Sequence, residues 1–240
     1  MLASMSVAEQ ISQSGFAIYS EVTSEEYVTD LIAALSHINE TDSVRRRGGI
    51  FAIRNLLDVS SDVCELAHSN NIRNLVEPVL GDKFFPVRGI LFDKIPDANW
   101  KVPWHQDLTI AVQQRIETEG FGPWSIKSDV LHVQPPACIL EKILTVRIHL
   151  DKCHADNGAL RVIAGSHNKG RIAENEIAAV RELGREAVCE VDRGGVLLMR
   201  PLLLHASSPS SSPSHRRVIH IDYASIPLPN GLKWLSNNEV

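Results

Sequence analysis

Apolar positions recur along this chain with two different periods. In the N-terminal third the period is helical: Val28, Leu31, Ile32 and Leu35 fall on one face, and Thr23 and Glu26 ahead of them have the spacing of a capping box. Asn70 is placed to cap a second helix ending near Gly81. Between these helices, residues 44–55 read as a loop carrying Arg45, Arg46 and Arg47 followed by two glycines. From Phe84 onward the period becomes two. Short β-prone runs at 84–95, 143–150, 159–163, 187–191, 196–199 and 217–223 are separated by Pro, Gly, Asn and Asp. Leu144, Val146, Ile148 and Leu150 alternate with Thr145, Arg147 and His149, the pattern of a half-buried strand. One helix at 174–183 interrupts the strands, and the Ser- and Pro-rich stretch 207–214 reads as a loop between two of them. Many short strands with such breaks predict a β-sandwich or barrel.

Composition narrows the class. The 240 residues fit one domain, with a helical part at 1–82 and a β core at about 83–226. At 44% hydrophobic and 22% charged, the chain can build an ordinary core. The net charge of −5, from 24 basic and 29 acidic residues, argues against a nucleic-acid partner. Cys64, Cys138, Cys153 and Cys189 are scattered and form no CxxC pair, as expected of reduced thiols in a cytoplasmic protein. The start, MLASMSVAEQ, lacks the pattern of a secretory signal, and no apolar run reaches the ~20 residues of a membrane span.

The candidate chemistry begins at Trp104-His-Gln-Asp107. On extended backbone His105 and Asp107 point to one face, where an imidazole nitrogen and a carboxylate oxygen suit a first-row divalent metal. A third ligand must come from elsewhere, and His205, after the apolar runs 196–199 and 201–204, is the best candidate. Two His and one carboxylate leave open positions on the metal, the arrangement of non-haem Fe(II) oxygenases. A His-x-Asp alone is common by chance. Arg216 strengthens it, because it follows His205 by eleven residues and opens a β-prone run that could aim a guanidinium, the best side chain for gripping a carboxylate, into the same cavity.

On these residues, together with Asn157-Gly-Ala-Leu-Arg-Val-Ile-Ala-Gly-Ser-His167 and the run from Arg216 to Ser225, the chain resembles the phytanoyl-CoA dioxygenase family of Fe(II)/2-oxoglutarate oxygenases over roughly residues 84 to 225. The resemblance implies a mainly β fold, a double-stranded β-helix (jelly-roll, cupin-like) with flanking, largely N-terminal helices. It implies Fe(II) held by His105, Asp107 and His205, with 2-oxoglutarate and O2 as co-substrates. The far carboxylate of 2-oxoglutarate would pair with Arg216, helped by Ser207, and the substrate would be a small molecule hydroxylated as succinate and CO2 are released. Asp107 places the chain with hydroxylating rather than halogenating relatives. Trp124 fits a family aromatic near the co-substrate or a core tryptophan. Arg88 could face solvent or reach the co-substrate or an anionic substrate, and the resemblance favours the second. Structural roles are expected for His167, His149 and His220, and surface or structural ones for His37, His68, His132, His154 and His215. The three arginines 45–47 could meet an anionic substrate, and residues 109–128 read as a lid over the site. Two other classes stay open: an inactive jelly-roll binding module, and a cupin-type barrel with another metal, in which Arg216 has no role.

Overall fold

Serine hydroxyls start the helices. In the computed structural model, which describes residues 5–38, 44–46, 50–95, 99–127, 129–211 and 215–236, the N-terminal third forms α1 (Val7–Ser14), α2 (Glu25–Ser36), α3 (Leu56–Val59), α4 (Ser61–His68) and α5 (Asn70–Leu80). Ser6, Ser24, Ser60 and Ser69 each accept a hydrogen bond from the backbone N–H three residues on, satisfying a donor that the helix leaves free. Two caps therefore lie one residue from their expected positions. Thr23 N–H is committed to Gly194 O at 3.0 Å, so it cannot complete the expected capping box with Glu26, and Ser24 caps α2 instead. Ser69 displaces Asn70, since it serves two helices: its N–H closes α4 on Leu66 O and its hydroxyl opens α5.

The same third also contributes strands: β1 (Phe16–Tyr19), β2 (Val44–Arg46) and β3 (Ile50–Ile53). The expected loop at 44–55 is instead largely the β2–β3 hairpin, although Arg47 and the side chains of Arg45 and Arg46 lie outside the described residues. The β-prone regions become β4 (Phe85–Asp93), β5 (Val102–His105), β6 (Ile110–Ala111), β7 (Trp124–Lys127), β8 (Val130–Val133), β9 (Ile143–His149), β10 (Leu160–Ile163), β11 (Glu186–Cys189), β12 (Val196–Met199), β13 (His205–Ser207) and β14 (Arg217–Ala224). Two short helices, α6 (Ala137–Leu140) and α7 (Ile177–Leu183), interrupt them. The large sheet has the order β1-β12-β9-β14-β4-β3-β2, with antiparallel neighbours throughout. A second sheet, β11-β10-β13-β5, supplies the other wall of the jelly roll, and β6-β8-β7 forms a third. The architecture is mainly β, as expected.

Sheet alternation sorts the core from the site. Leu144, Val146 and Ile148 of β9 and Ile219, Ile221 and Tyr223 of β14 form one apolar cluster with Leu31, Leu56 and Ile72 of the helices. Each such side chain, fully buried, stabilises the fold by about 1.5–3 kcal/mol. Tyr223 also donates its hydroxyl hydrogen to Ala67 O at 2.9 Å, tying β14 to α4. The opposite face of β9 is not solvated: Thr145, Arg147 and His149 are buried as well. The strand expected to be half-buried is thus covered on both sides, its apolar face by helices and its polar face by the barrel interior.

The segment expected to act as a lid is tied down among its described residues. Its ends pair as β6 and β7 with β8. Val112 bridges Trp234, and Phe121 and Ile116 pack into a second apolar cluster with Trp234. This anchoring opposes movement of the segment as a whole.

Candidate active site

Strand pairing brings the first two histidines together. His205, the first residue of β13, lies directly opposite His105, the last residue of β5. The chain then turns as Asp107 donates its N–H to Pro201 O at 2.9 Å. Its carboxylate ends up beside both rings, whose centroids are 4.3 Å apart, with Oδ1 3.8 Å from His105 Nε2 and Oδ2 3.7 Å from His205 Nε2. One ligand atom from each residue lies within 4.8 Å of the others. Gln106 points the other way and fixes this turn: its amide donates to Gly170 O and Leu202 O and accepts from Ile172 N–H. Nothing in the sequence singles out Gln106 beyond its place between the two ligands.

The ring tautomers suit a metal. His105 Nδ1–H donates to Pro103 O and His205 Nδ1–H to Leu203 O, both at 2.8 Å, which leaves each Nε2 lone pair facing Asp107. Burial pushes His205 down to about 4, so its ring is neutral. Burial alone would raise Asp107, but His205, His220, His105 and Arg88 outweigh it and keep the carboxylate ionised. Two imidazoles and a carboxylate, all on one side, fit a divalent ion with open positions.

These residues line a cavity of ≈ 260 Å³ between the two main sheets. Arg216 and Ser207 line it too, as expected. Arg216 is 4% exposed; its Nη1 reaches only the Cys153 sulfur, at 3.8 Å, and its Nε has no partner among the described residues. Arg217 points away, toward Asp151, which it grips at 2.7 and 2.8 Å. Two further cations join Arg216. Lys94, 1% exposed, donates to Ser207 Oγ at 3.0 Å and Ser208 O at 2.7 Å. Arg147, 8% exposed, donates to His220 Nδ1 at 3.0 Å and leaves Nε unpartnered. None of the three forms an ion pair among the described residues. Burial and the Arg216 charge push Lys94 down to about 8 and Arg147 down to about 10. Sequence reasoning missed Lys94, although its alternation with Arg88, Ile90 and Phe92 on β4 marks it as facing inward. Gly158 of the family phrase is explained by the same lysine. It has φ +85°, and a Cβ there would lie 2.7 Å from Ser208 O and 3.1 Å from Lys94 Nζ.

Arg88 reaches the cavity at its other end, held by Asp222 at 2.7 and 2.8 Å. Asp222 also accepts from Thr145 and His220. Burial would raise its carboxyl, but Arg88 and these contacts hold it well below the usual range. Trp124 is not brought to the cavity: it packs in the second apolar cluster, with the Arg115 guanidinium 5.4 Å from its ring. His220 links Arg147 to Asp222, and His132 is buried and lines the cavity, so neither is a surface group. His167 lies against the end of α1, where a Cβ at Gly15 would come within 2.5 Å of its Nδ1.

The profile of the family described as Phytanoyl-CoA dioxygenase (PhyH) matches residues 11–218, nearly the whole chain. The chain belongs to the phytanoyl-CoA dioxygenase family. Membership extends the sequence resemblance into the N-terminal third, which had offered no recognisable motif. As a family member carrying the His-Asp-His cluster, the chain is a non-haem iron- and 2-oxoglutarate-dependent oxygenase. Solved structures of the same fold include AviO1 from Streptomyces viridochromogenes Tue57, with 23% identity, TM-score 0.66, and coverage of 93% of this chain and 94% of that one. EctD from S. alaskensis, solved with 2-oxoglutarate and 5-hydroxyectoine, has 18% identity and TM-score 0.71 over 91% of this chain and 75% of its own. The 2-oxoglutarate-dependent carbocyclase SnoK from nogalamycin biosynthesis has 16% identity and TM-score 0.70 over 92% and 84%. No curated protein sequence matches significantly. Among the described residues, no helix of this dioxygenase-family chain is long and apolar enough to cross a membrane.

Proposed function

We propose that residues 1–240 act as a single catalytic domain that hydroxylates a small organic molecule, with His105, Asp107 and His205 as the Fe(II) ligands and Arg216 and Ser207 holding the far carboxylate of 2-oxoglutarate. The observation that carries this reading is the buried Arg216, whose Nε lacks a partner in the cavity that also contains the metal cluster. A buried cation without a counter-charge is costly, and a bound carboxylate removes that cost. Lys94 and Arg147 fit the same role, because both are buried beside Arg216 without an acidic partner among the described residues.

When bound, iron supplies the activation of O2 that couples decarboxylation of 2-oxoglutarate to oxidation of the substrate. One oxygen atom enters succinate, the other becomes the new hydroxyl, and CO2 leaves. The chain's own contribution is placement. Backbone carbonyls 103 and 203 fix the imidazole tautomers, Gln106 fixes the turn between the ligands, and Arg216 sets the direction from which the co-substrate approaches. A cavity of ≈ 260 Å³ admits the reacting part of a small molecule, while an entire CoA thioester would extend outside it. None of the four cysteines forms a disulfide, consistent with work in the cytoplasm.

The test is succinate formation by purified protein supplied with Fe(II), 2-oxoglutarate and O2, screened across small acids, amino acids, lipids and CoA esters. Stimulation by one class, lost on chelation and in His205→Ala, supports the reading. Equal succinate formation by wild type and His205→Ala refutes it.

A further inference from the structure

Arg147 stands between the metal ligands and Arg216. It projects from β9 directly across from His220 of β14 and lines the cavity together with Asp107, His205 and Arg216. Its charge is felt in both directions: the Arg216 guanidinium and the Asp107 carboxylate act on it, and it acts on the His205 ring and on Lys94. Bound 2-oxoglutarate would run along the same path, from the metal cluster to Arg216. A long, flexible side chain contributes to such a site only if something fixes its rotamer, because ordering it costs entropy. Among the described residues no acid fixes Arg147; a histidine does. Arg147 Nη1 donates to His220 Nδ1 at 3.0 Å.

Donor and acceptor roles then follow along a buried chain. A guanidinium can only donate, so His220 Nδ1 accepts and the ring proton sits on Nε2. That Nε2–H points at Asp222 Oδ1, 3.1 Å away. The Asp222 carboxylate, kept ionised against burial by Arg88 above all, can only accept. Thr145 donates to the same Oδ1 at 2.7 Å, while Arg88 grips Oδ2 through Nε and Nη2 at 2.8 and 2.7 Å. One proton arrangement satisfies every member: Arg88 and Thr145 orient Asp222, Asp222 sets the His220 tautomer, and His220 holds Arg147. The other tautomer would set N–H against N–H at Arg147 and a lone pair against the carboxylate, two repulsive contacts at once. Phe92 packs edge-on to the His220 ring, with centroids 5.9 Å apart, and limits its rotation. Arg147 Nε takes no part in the chain and has no partner among the described residues.

We propose that His220 is a positioning residue for the co-substrate: fixed in one tautomer by Asp222, it aims the Arg147 guanidinium at 2-oxoglutarate lying between the metal ligands and Arg216. This rests on the dioxygenase reading above and adds to it the residues that place a second arginine against the bound dianion. The part His220 plays is to hold Arg147, and no proton moves through it.

The experiment uses full-length protein loaded anaerobically with Fe(II) and titrated with 2-oxoglutarate, read by the visible absorbance of the ternary complex. His220→Leu should weaken 2-oxoglutarate binding about ten-fold or more, the worth of one hydrogen bond to a charged group, with Fe(II) stoichiometry unchanged. His220→Gln, whose amide offers one acceptor and one donor in place of the two ring nitrogens, should reverse most of that loss. Arg147→Leu should lose at least as much as His220→Leu. Because His220 acts through Arg147, combining the two substitutions should cost no affinity beyond Arg147→Leu alone, an outcome that a general loosening of the barrel would not give. Should His220→Leu fail to fold, His220→Met, similar in volume and without an N–H, is read in its place. A smaller loss in His220→Leu, a loss that His220→Gln does not reverse, or a further loss in the double variant overturns the proposal and leaves the dioxygenase reading intact. Failure of the wild type to form the ternary complex overturns both.

Discussion

Replacing Arg216 by leucine removes the buried guanidinium assigned to the far carboxylate of 2-oxoglutarate and touches no metal ligand. Breaking a buried guanidinium–carboxylate pair costs about 3–5 kcal/mol. Lys94 stays in place with its ammonium hydrogen-bonded to Ser207, so the lower end applies. About 3 kcal/mol corresponds to a rise in KM for 2-oxoglutarate of roughly 100-fold. The assay is succinate formation against 2-oxoglutarate concentration, with iron content measured in parallel and expected to be unchanged. The variant also tests the charge argument. In the unliganded protein Arg216 faces Lys94 and Arg147 with no counter-ion among the described residues, so its loss relieves repulsion and should not lower the melting temperature. Arg217→Leu is the control: it breaks a part-exposed pair with Asp151 at a cost of about 1 kcal/mol in stability and leaves KM within about twofold. A threefold or smaller rise in KM for Arg216→Leu, or a larger one for Arg217→Leu, refutes the assignment of the inward-facing arginine.

Lys94 makes the co-substrate site sensitive to pH. Its ammonium is pushed down to about 8, so 2-oxoglutarate affinity should be full below pH 8 and fall as pH rises through it, a fall that Lys94→Met removes. Between about pH 8 and the ordinary lysine value the unfolded chain binds more protons at this residue than the unliganded fold does, so Lys94 makes the unliganded protein more stable as pH rises across that window, and Lys94→Met removes this rise in a melting series. Tyr223→Phe deletes the hydrogen bond to Ala67 O at a buried site and should cost about 1 kcal/mol by denaturant titration, with turnover retained. Asp107→Gly removes the only acidic ligand of the cluster and should abolish hydroxylation; unchanged oxidation would show that another group supplies the carboxylate.

The parts of this fold legible in the sequence are those that depend on neighbours along the chain. Strand β12 falls where the apolar run 196–199 predicts it, and β4, β9 and β14 lie within two residues of their expected ends. His105 and Asp107 could be paired because alternation on extended backbone is local, and Arg216 could be chosen from its eleven-residue offset from His205, although the opposite face, with Ile219, Ile221 and Tyr223, is the more apolar one and packs against the helices. What escaped depends on distant segments. β1 joins the large sheet through β12, 183 residues away at Phe16↔Met199, and its four residues are too short to show a period. The capping box expected at Thr23 is pre-empted by the bond from its N–H to Gly194 O. Lys94 and Arg147 are polar residues on strands, and only closure of the barrel buries them beside Arg216. Trp124 illustrates the converse: its place in the chain is compatible with the co-substrate, and the packing of β7 puts it in an apolar cluster instead.

The central claim is that two imidazoles and one carboxylate hold Fe(II) next to bound 2-oxoglutarate. Anaerobic titration of the metal-free protein with Fe(II) in the presence of 2-oxoglutarate, followed by the visible absorbance of the ternary complex, tests it most directly. The account predicts saturation at one Fe(II) per chain in the wild type and in Arg217→Leu, and no band in His105→Ala or His205→Ala. A band of undiminished intensity and stoichiometry in either histidine variant would contradict it.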